Sequence, residues 1–102
     1  MIVALSEVPL VPETRERALD VLASMAAESR AEAGVVDYRV TTDVEEPNVA
    51  HIVERYEDEA AFDAHENSAH LDAFQSEMAP LIDGEATLYR YAVEREDVLP
   101  GP

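Results

Sequence analysis

A chain of 102 residues has the length of one domain and can bury one modest core. Its 23 acidic residues face only seven basic ones, all arginine, for a formal net charge of −16, which argues against a nucleic-acid partner or an anionic membrane surface. The absence of cysteine removes disulfides and thiolate chemistry, and no apolar run approaches the roughly 18–20 residues of a spanning helix.

The acidic residues are spread through periodic apolar segments rather than gathered in a tail, so the chain reads as folded. Such acidity together with the total loss of lysine predicts a halophilic protein, stabilised as salt screens its self-repulsion. The opening MIVALSEVPL lacks a basic leader and a cleavage pattern, so a soluble cytoplasmic protein is the expectation.

In chain order, Ile2 to Val8 reads as a first strand ending at Pro9 and Pro12. Glu13 to about Ala33 has helical spacing, with Ala18, Val21, Leu22, Met25 and Ala26 on one face and Gly34 as the stop. Val35 to Thr42 alternates, and puts Val36, Tyr38, Val40 and Thr42 on one side. The turn DVEEPN leads to a third strand, Val49 to Glu57. Asp58 is a helix N-cap, and the helix runs to about Asn67 with Ala61, Phe62 and His65 on one face. Ser68 offers a second N-cap and a break. The next helix turns Leu71, Phe74, Met78, Leu81 and Ile82 inward and stops at Gly84. Glu85 to Glu94 is a fourth strand, and residues 96–102 form a loose tail beyond a domain spanning 1–95.

The order β-α-β-β-α-β predicts an α+β, ferredoxin-like fold: a four-stranded antiparallel sheet with its helices on one face. The other face would be left wet, bearing valines and tyrosines, so two sheets packed face to face in a homodimer are expected.

Four stretches resemble the antibiotic biosynthesis monooxygenase family, a branch of the dimeric α/β-barrel proteins. The opening MIVALSEVPLVPETRERAL is similar to the family's first strand and helix entrance. AEAGVVDYRV resembles its E-x-G-x-x-x-Y turn into strand two. HIVERYEDEAAFDAH resembles (F)-x-(I/V)-x-E-x-W-x-D-x-x-A-(F/L)-x-x-H, and HENSAHLDAF the continuation H-x-x-S-x-H-(F/L)-x-x-F. The resemblance covers residues 1 to about 95 and implies a small homodimer with one cavity per subunit between sheet and helices. Family relatives include cofactor-free oxygenases of phenols or quinols, haem degraders and an isomerase of a phosphorylated dione. Haem degradation fits poorly. The relatives' haem-ligand histidine, first-strand Asn and Trp correspond here to Gln75, Ser6 and Tyr56.

The candidate site follows from these placements. His65 should point inward over the sheet, where an imidazole can act as acid, base or oxyanion partner; the bland reading is a core histidine bonded to a carboxylate or carbonyl. Tyr56 could line the pocket and donate to a substrate oxygen, or be a core aromatic. Glu54 shares its strand face with Ile52 and Tyr56 and either borders substrate or pairs with Arg39 or Arg55 across strands. Tyr38, Phe62 and Phe74 complete an aromatic wall around substrate, together with Tyr89 and Tyr91, unless these are core and dimer interface. His70 is expected as a helix-start or mouth residue bordering substrate rather than as a catalyst. His65 and His70, five apart, do not share a helical face and make a poor chelate unless the break at Ser68 redirects one. His51 should face the dimer centre. No metal and no other cofactor is expected. The leading function is a homodimeric, cofactor-free monooxygenase acting on a small phenolic or quinol-type substrate with His65 and Tyr56 as catalytic residues. The alternatives are a cofactor-free isomerase using a His base, and a non-catalytic dimeric small-ligand-binding or stress-associated protein.

Overall fold

Alternation along the first strand, β1 (Ile2–Pro9), sends Ile2, Ala4, Ser6 and Val8 to one buried face and leaves Leu5 and Glu7 on the other. The computed structural model describes all 102 residues, Met1–Pro102. After β1 come a 3-10 turn (Pro12–Thr14), α1 (Arg15–Arg30), β2 (Val35–Thr42), β3 (Val49–Tyr56), α2 (Glu59–Glu66), α3 (Ala69–Met78), a second 3-10 turn (Ala79–Leu81) and β4 (Thr87–Ala92). The sheet order is β2-β3-β1-β4, antiparallel throughout. This is the ferredoxin-like α+β fold predicted, with its second helix split in two.

The split has a local cause. Asp58 caps α2 by accepting from the Ala61 amide at 2.8 Å, and Ser68 caps α3 by accepting from the Leu71 amide at 3.3 Å. The Ser68 hydroxyl also donates to the His65 carbonyl at 2.7 Å, which ties the end of one helix to the start of the next. Against this same junction, α1 stops earlier than its sequence pattern suggests. The amides of Ala31 and Glu32 bond three residues back, to Glu28 and Ser29, and Gly34 turns the chain with φ +82°. A Cβ on Gly34 would sit 2.6 Å from the Ala61 Cβ, so only glycine lets α2 pack against this turn. The Glu57 amide donates to the Gly34 carbonyl at 2.8 Å and closes the same junction.

Two expectations about strand faces are corrected. The β2–β3 register shifts between Val35 and Asp37, so Val35 packs on the core while Val36 is exposed. The bulge reverses the predicted alternation at the start of β2, and at its far end Thr42 is exposed. Tyr89 and Tyr91 pair in register with Leu5 and Val3 and lie on the bare sheet face, apart from Phe62 and Phe74. They therefore form no wall with those rings. The bare face also carries His51 and Val53, around a shallow depression with Leu5, Tyr89 and Tyr91.

The helix side holds the core. Its larger part joins Val8, Leu22, Met25, Tyr38, Ile52 and Met78, and a smaller part joins Ile2, Ala4, Tyr56 and Phe62. No helix is long and apolar enough to cross a membrane.

Candidate functional site

Between the sheet and α3 lies a cavity of about 360 Å³. Strands supply Ser6, Tyr38, Ile52, Glu54 and Leu88; α2 supplies His65 and Glu66; α3 supplies Phe74, Gln75 and Met78. Most of the lining is apolar, and it contains no arginine. Its polar centre is the pair His65 and Glu54, which are 2% and 3% exposed.

The pair is built from secondary structure. His65 follows Phe62 by three residues on α2, so both face the sheet and both are buried. Glu54 alternates with Ile52 and Tyr56 on β3, all pointing toward the helices. His65 Nε2 lies 3.9 Å from Glu54 Oε1. On the far side of the ring, His65 Nδ1 lies 2.8 Å from Glu32 Oε2. A proton on Nδ1 donated to that carboxylate leaves Nε2 as an acceptor at the cavity. The ring is also packed between Tyr38 and Tyr56, with centroids 5.4 and 5.6 Å away.

Burial pushes the Glu54 carboxyl above the usual carboxylate range, against the opposing pull of the Tyr56 hydroxyl and His65. Burial, and then the neighbouring Glu54, likewise raise both Tyr38 and Tyr56 far above an ordinary phenol, so both keep their protons. Tyr56 donates to Glu54 Oε1 at 2.5 Å. A hydroxyl, a carboxylate, an imidazole and a second carboxylate thus run in series from Tyr56 to Glu32.

Of the residues expected at the site, His65, Glu54, Tyr38 and Phe74 border the cavity. Tyr56 does not. It is 0% exposed, and its hydroxyl is committed to Glu54, so it reaches the cavity only through that carboxylate. Phe62 lies outside as well, edge-on to Tyr56 and covered by the Arg90 guanidinium 5.1 Å from its ring centre. Nor does Glu54 pair with Arg39 or Arg55 across the strands. Arg39 bonds Asp37, and Arg55 bonds Glu96. His70 sits in the first turn of α3 and faces α1, beside a separate small hollow with Met25, Glu28 and Phe74. The break at Ser68 brings its ring centre to 5.9 Å from that of His65, so the two histidines do converge, contrary to the plain helical spacing. His51, on the opposite face, bonds Asp43 at 2.9 Å and holds that carboxyl below its usual range.

Glu32 was absent from the sequence-derived set. Its signal was nonetheless present: it is the Glu of the E-x-G-x-x-x-Y turn, whose Tyr is Tyr38. The motif spans the two residues that meet His65 from either side.

The chain matches the profile of the family described as antibiotic biosynthesis monooxygenase over residues 1–77. It is 32% identical over 90 residues to YcnE of Bacillus subtilis, provisionally named a monooxygenase; the match covers 88% of this chain and 95% of that protein. Among solved structures, a provisionally assigned antibiotic biosynthesis monooxygenase from Deinococcus radiodurans superposes with a TM-score of 0.92 at 18% identity, covering 99% of this chain and 100% of the other. Rv0793 from Mycobacterium tuberculosis superposes with a TM-score of 0.87 at 21% identity, covering 95% and 98%. These two structures speak for the fold alone.

Proposed function

The chain belongs to the antibiotic biosynthesis monooxygenase family, and from that premise we propose that it is a cofactor-independent monooxygenase of small phenols. The observation that carries this reading is one apolar cavity with a buried imidazole, backed by a carboxylate, as its base. A cavity of roughly 150 Å³ accepts benzene. The volume here, about 360 Å³, suits two fused rings. Glu54 and Glu66 disfavour a substrate that arrives as an anion, and a phosphorylated one would find no arginine in the lining. A neutral bicyclic phenol that loses its proton inside fits both conditions.

The reaction follows from those groups. His65 Nε2 takes the phenolic proton, and the Glu32 and Glu54 carboxylates stabilise the imidazolium. The electron-rich phenolate passes one electron to dioxygen, and the two radicals couple at the ring carbon para to the oxygen. The carbon-bound peroxide takes a proton from His65. It then loses water as the ring C–H proton departs, leaving a carbonyl. One oxygen atom enters the product quinone, and the other leaves as water. Tyr56 is a positioning residue here, holding Glu54.

Two such chains pair through their bare sheet faces, where Leu5, Val53, Tyr89 and Tyr91 are exposed. Oxygen-electrode measurements with a dihydroxynaphthalene whose carbon para to a hydroxyl carries hydrogen test the reading. Uptake of one O₂ per quinone formed is expected, falling by about 10²-fold or more in His65→Ala. Turnover of the phenol without oxygen uptake, or full activity in His65→Ala, would defeat it.

A further inference from the structure

Behind His65, on the side away from the cavity, three side chains converge. The Glu32 carboxylate lies between two imidazoles: Oε1 is 3.3 Å from His65 Nδ1 and 3.6 Å from His70 Nε2. The ligand atoms of all three residues lie within 4.8 Å of one another. His70 Nε2 is buried and has no hydrogen-bond partner. The other nitrogen of that ring faces Glu28 Oε2 at 3.9 Å, which favours a proton on Nδ1. Nε2 then presents a lone pair to a carboxylate oxygen, an arrangement that a shared cation relieves.

We propose that Glu32, His65 and His70 form a binding site for one divalent transition-metal ion of the zinc type. Metal–ligand bonds of about 2.0–2.1 Å in a tetrahedron put neighbouring ligand atoms about 3.3 Å apart. Two edges of the trio, 3.3 and 3.6 Å, already have that length, and a turn of the partly exposed His70 ring closes the third. Two imidazoles and one carboxylate suit zinc and its neighbours better than magnesium or calcium, which prefer all-oxygen sites. Each imidazole has a carboxylate near its remaining nitrogen, Glu28 at His70 and Glu54 at His65, the arrangement that orients metal-bound histidines. Glu32 and His70 are each about one-fifth exposed, so an ion has a route in, while His65 is sealed. The strongly negative chain draws cations toward it.

The ion would occupy the position of the proton that His65 Nδ1 donates to Glu32. Metal loading therefore competes with the proton traffic of the proposed reaction. That consequence rests on the proposed function; the binding itself does not.

Calorimetric titration of the full chain with ZnCl₂, with MgCl₂ as control, tests the site. One zinc per chain and a raised melting temperature are expected, and Co²⁺ should give the visible absorption of a tetrahedral complex. His70→Ala, whose side chain lies outside the cavity, should keep the fold by circular dichroism yet lose more than roughly 100-fold in zinc affinity. His51→Ala, outside the trio, should bind as the parent does. Absence of saturable one-to-one zinc binding, or undiminished binding by His70→Ala, overturns the proposal. Because no turnover is measured, zinc binding by a chain inert toward oxygen would leave the site standing and remove only the proposed reaction.

Discussion

Glu54 carries opposing demands at a single side chain. A carboxylate that is 3% exposed loses most of its hydration, and burial raises its pKa despite the hydrogen bond from Tyr56. Such a group weakens the fold at neutral pH. It is retained, on the proposed chemistry, because a negative charge 3.9 Å from His65 Nε2 favours the imidazolium that forms when substrate gives up its proton. Glu54→Gln keeps an acceptor for the Tyr56 hydroxyl and removes the charge. The expected result is a gain of roughly 1 kcal/mol in stability, which raises the melting temperature by about 4–8 °C, together with a clear loss of oxygen uptake. A variant that melts lower and turns over normally would show that the charge serves the fold instead. The sequence could place Glu54 on the helix-facing side of its strand, because alternation does that. It could not tell that the Tyr56 hydroxyl would be spent on Glu54, because both point to the same side and only the packed depth separates a lining residue from one behind it.

At the scale of elements, the site depends on one close approach. The turn after α1 carries Glu32, α2 carries His65, and the two are pressed together at Gly34 and Ala61. Gly34→Ala puts a Cβ into a left-handed backbone position and 2.6 Å from the Ala61 Cβ. Strain and overpacking together should cost about 2–4 kcal/mol. Gly84 makes the control: its φ of +97° is as demanding, but nothing lies within 4 Å of the added Cβ. Thermal or urea melts should therefore show Gly34→Ala losing clearly more than Gly84→Ala. Equal losses would mean that α2 moves away freely and that the His65–Glu32 contact is loose. Element order and type were legible in the sequence because Pro12, Gly34, Asp58, Ser68 and Gly84 punctuate it chemically. The bulge at Val35–Asp37 was not, since the breaker beside it, Gly34, already serves the turn after α1. The meeting of His65 and His70 was legible only as the exception a break at Ser68 would allow. Helical spacing separates them, and the chain redirection at Ser68 that reunites them is a tertiary outcome of two caps, not a periodicity.

At the scale of the whole molecule, charge and the bare sheet face pull against each other. The exposed Leu5, Val53, Tyr89 and Tyr91 favour a partner sheet, yet each chain brings a net charge of −16 to the encounter. Repulsion within a chain and between two chains falls as the screening length shrinks from about 10 Å at 0.1 M salt to about 3 Å at 1 M. Apolar burial at the sheet face does not weaken with salt. Both folding and pairing should therefore strengthen together between dilute buffer and molar KCl. The melting temperature should rise, and sedimentation should show the dimer fraction rising with it. Tyr91→Glu separates the two effects, because it buries a charge at the proposed interface without touching the helix-side core. That variant should still gain melting temperature with KCl yet stay monomeric in molar salt. A parent chain that remains a well-folded monomer in molar KCl, with a melting temperature unmoved from dilute buffer, would mean that neither the charge nor the bare face has the role assigned to it.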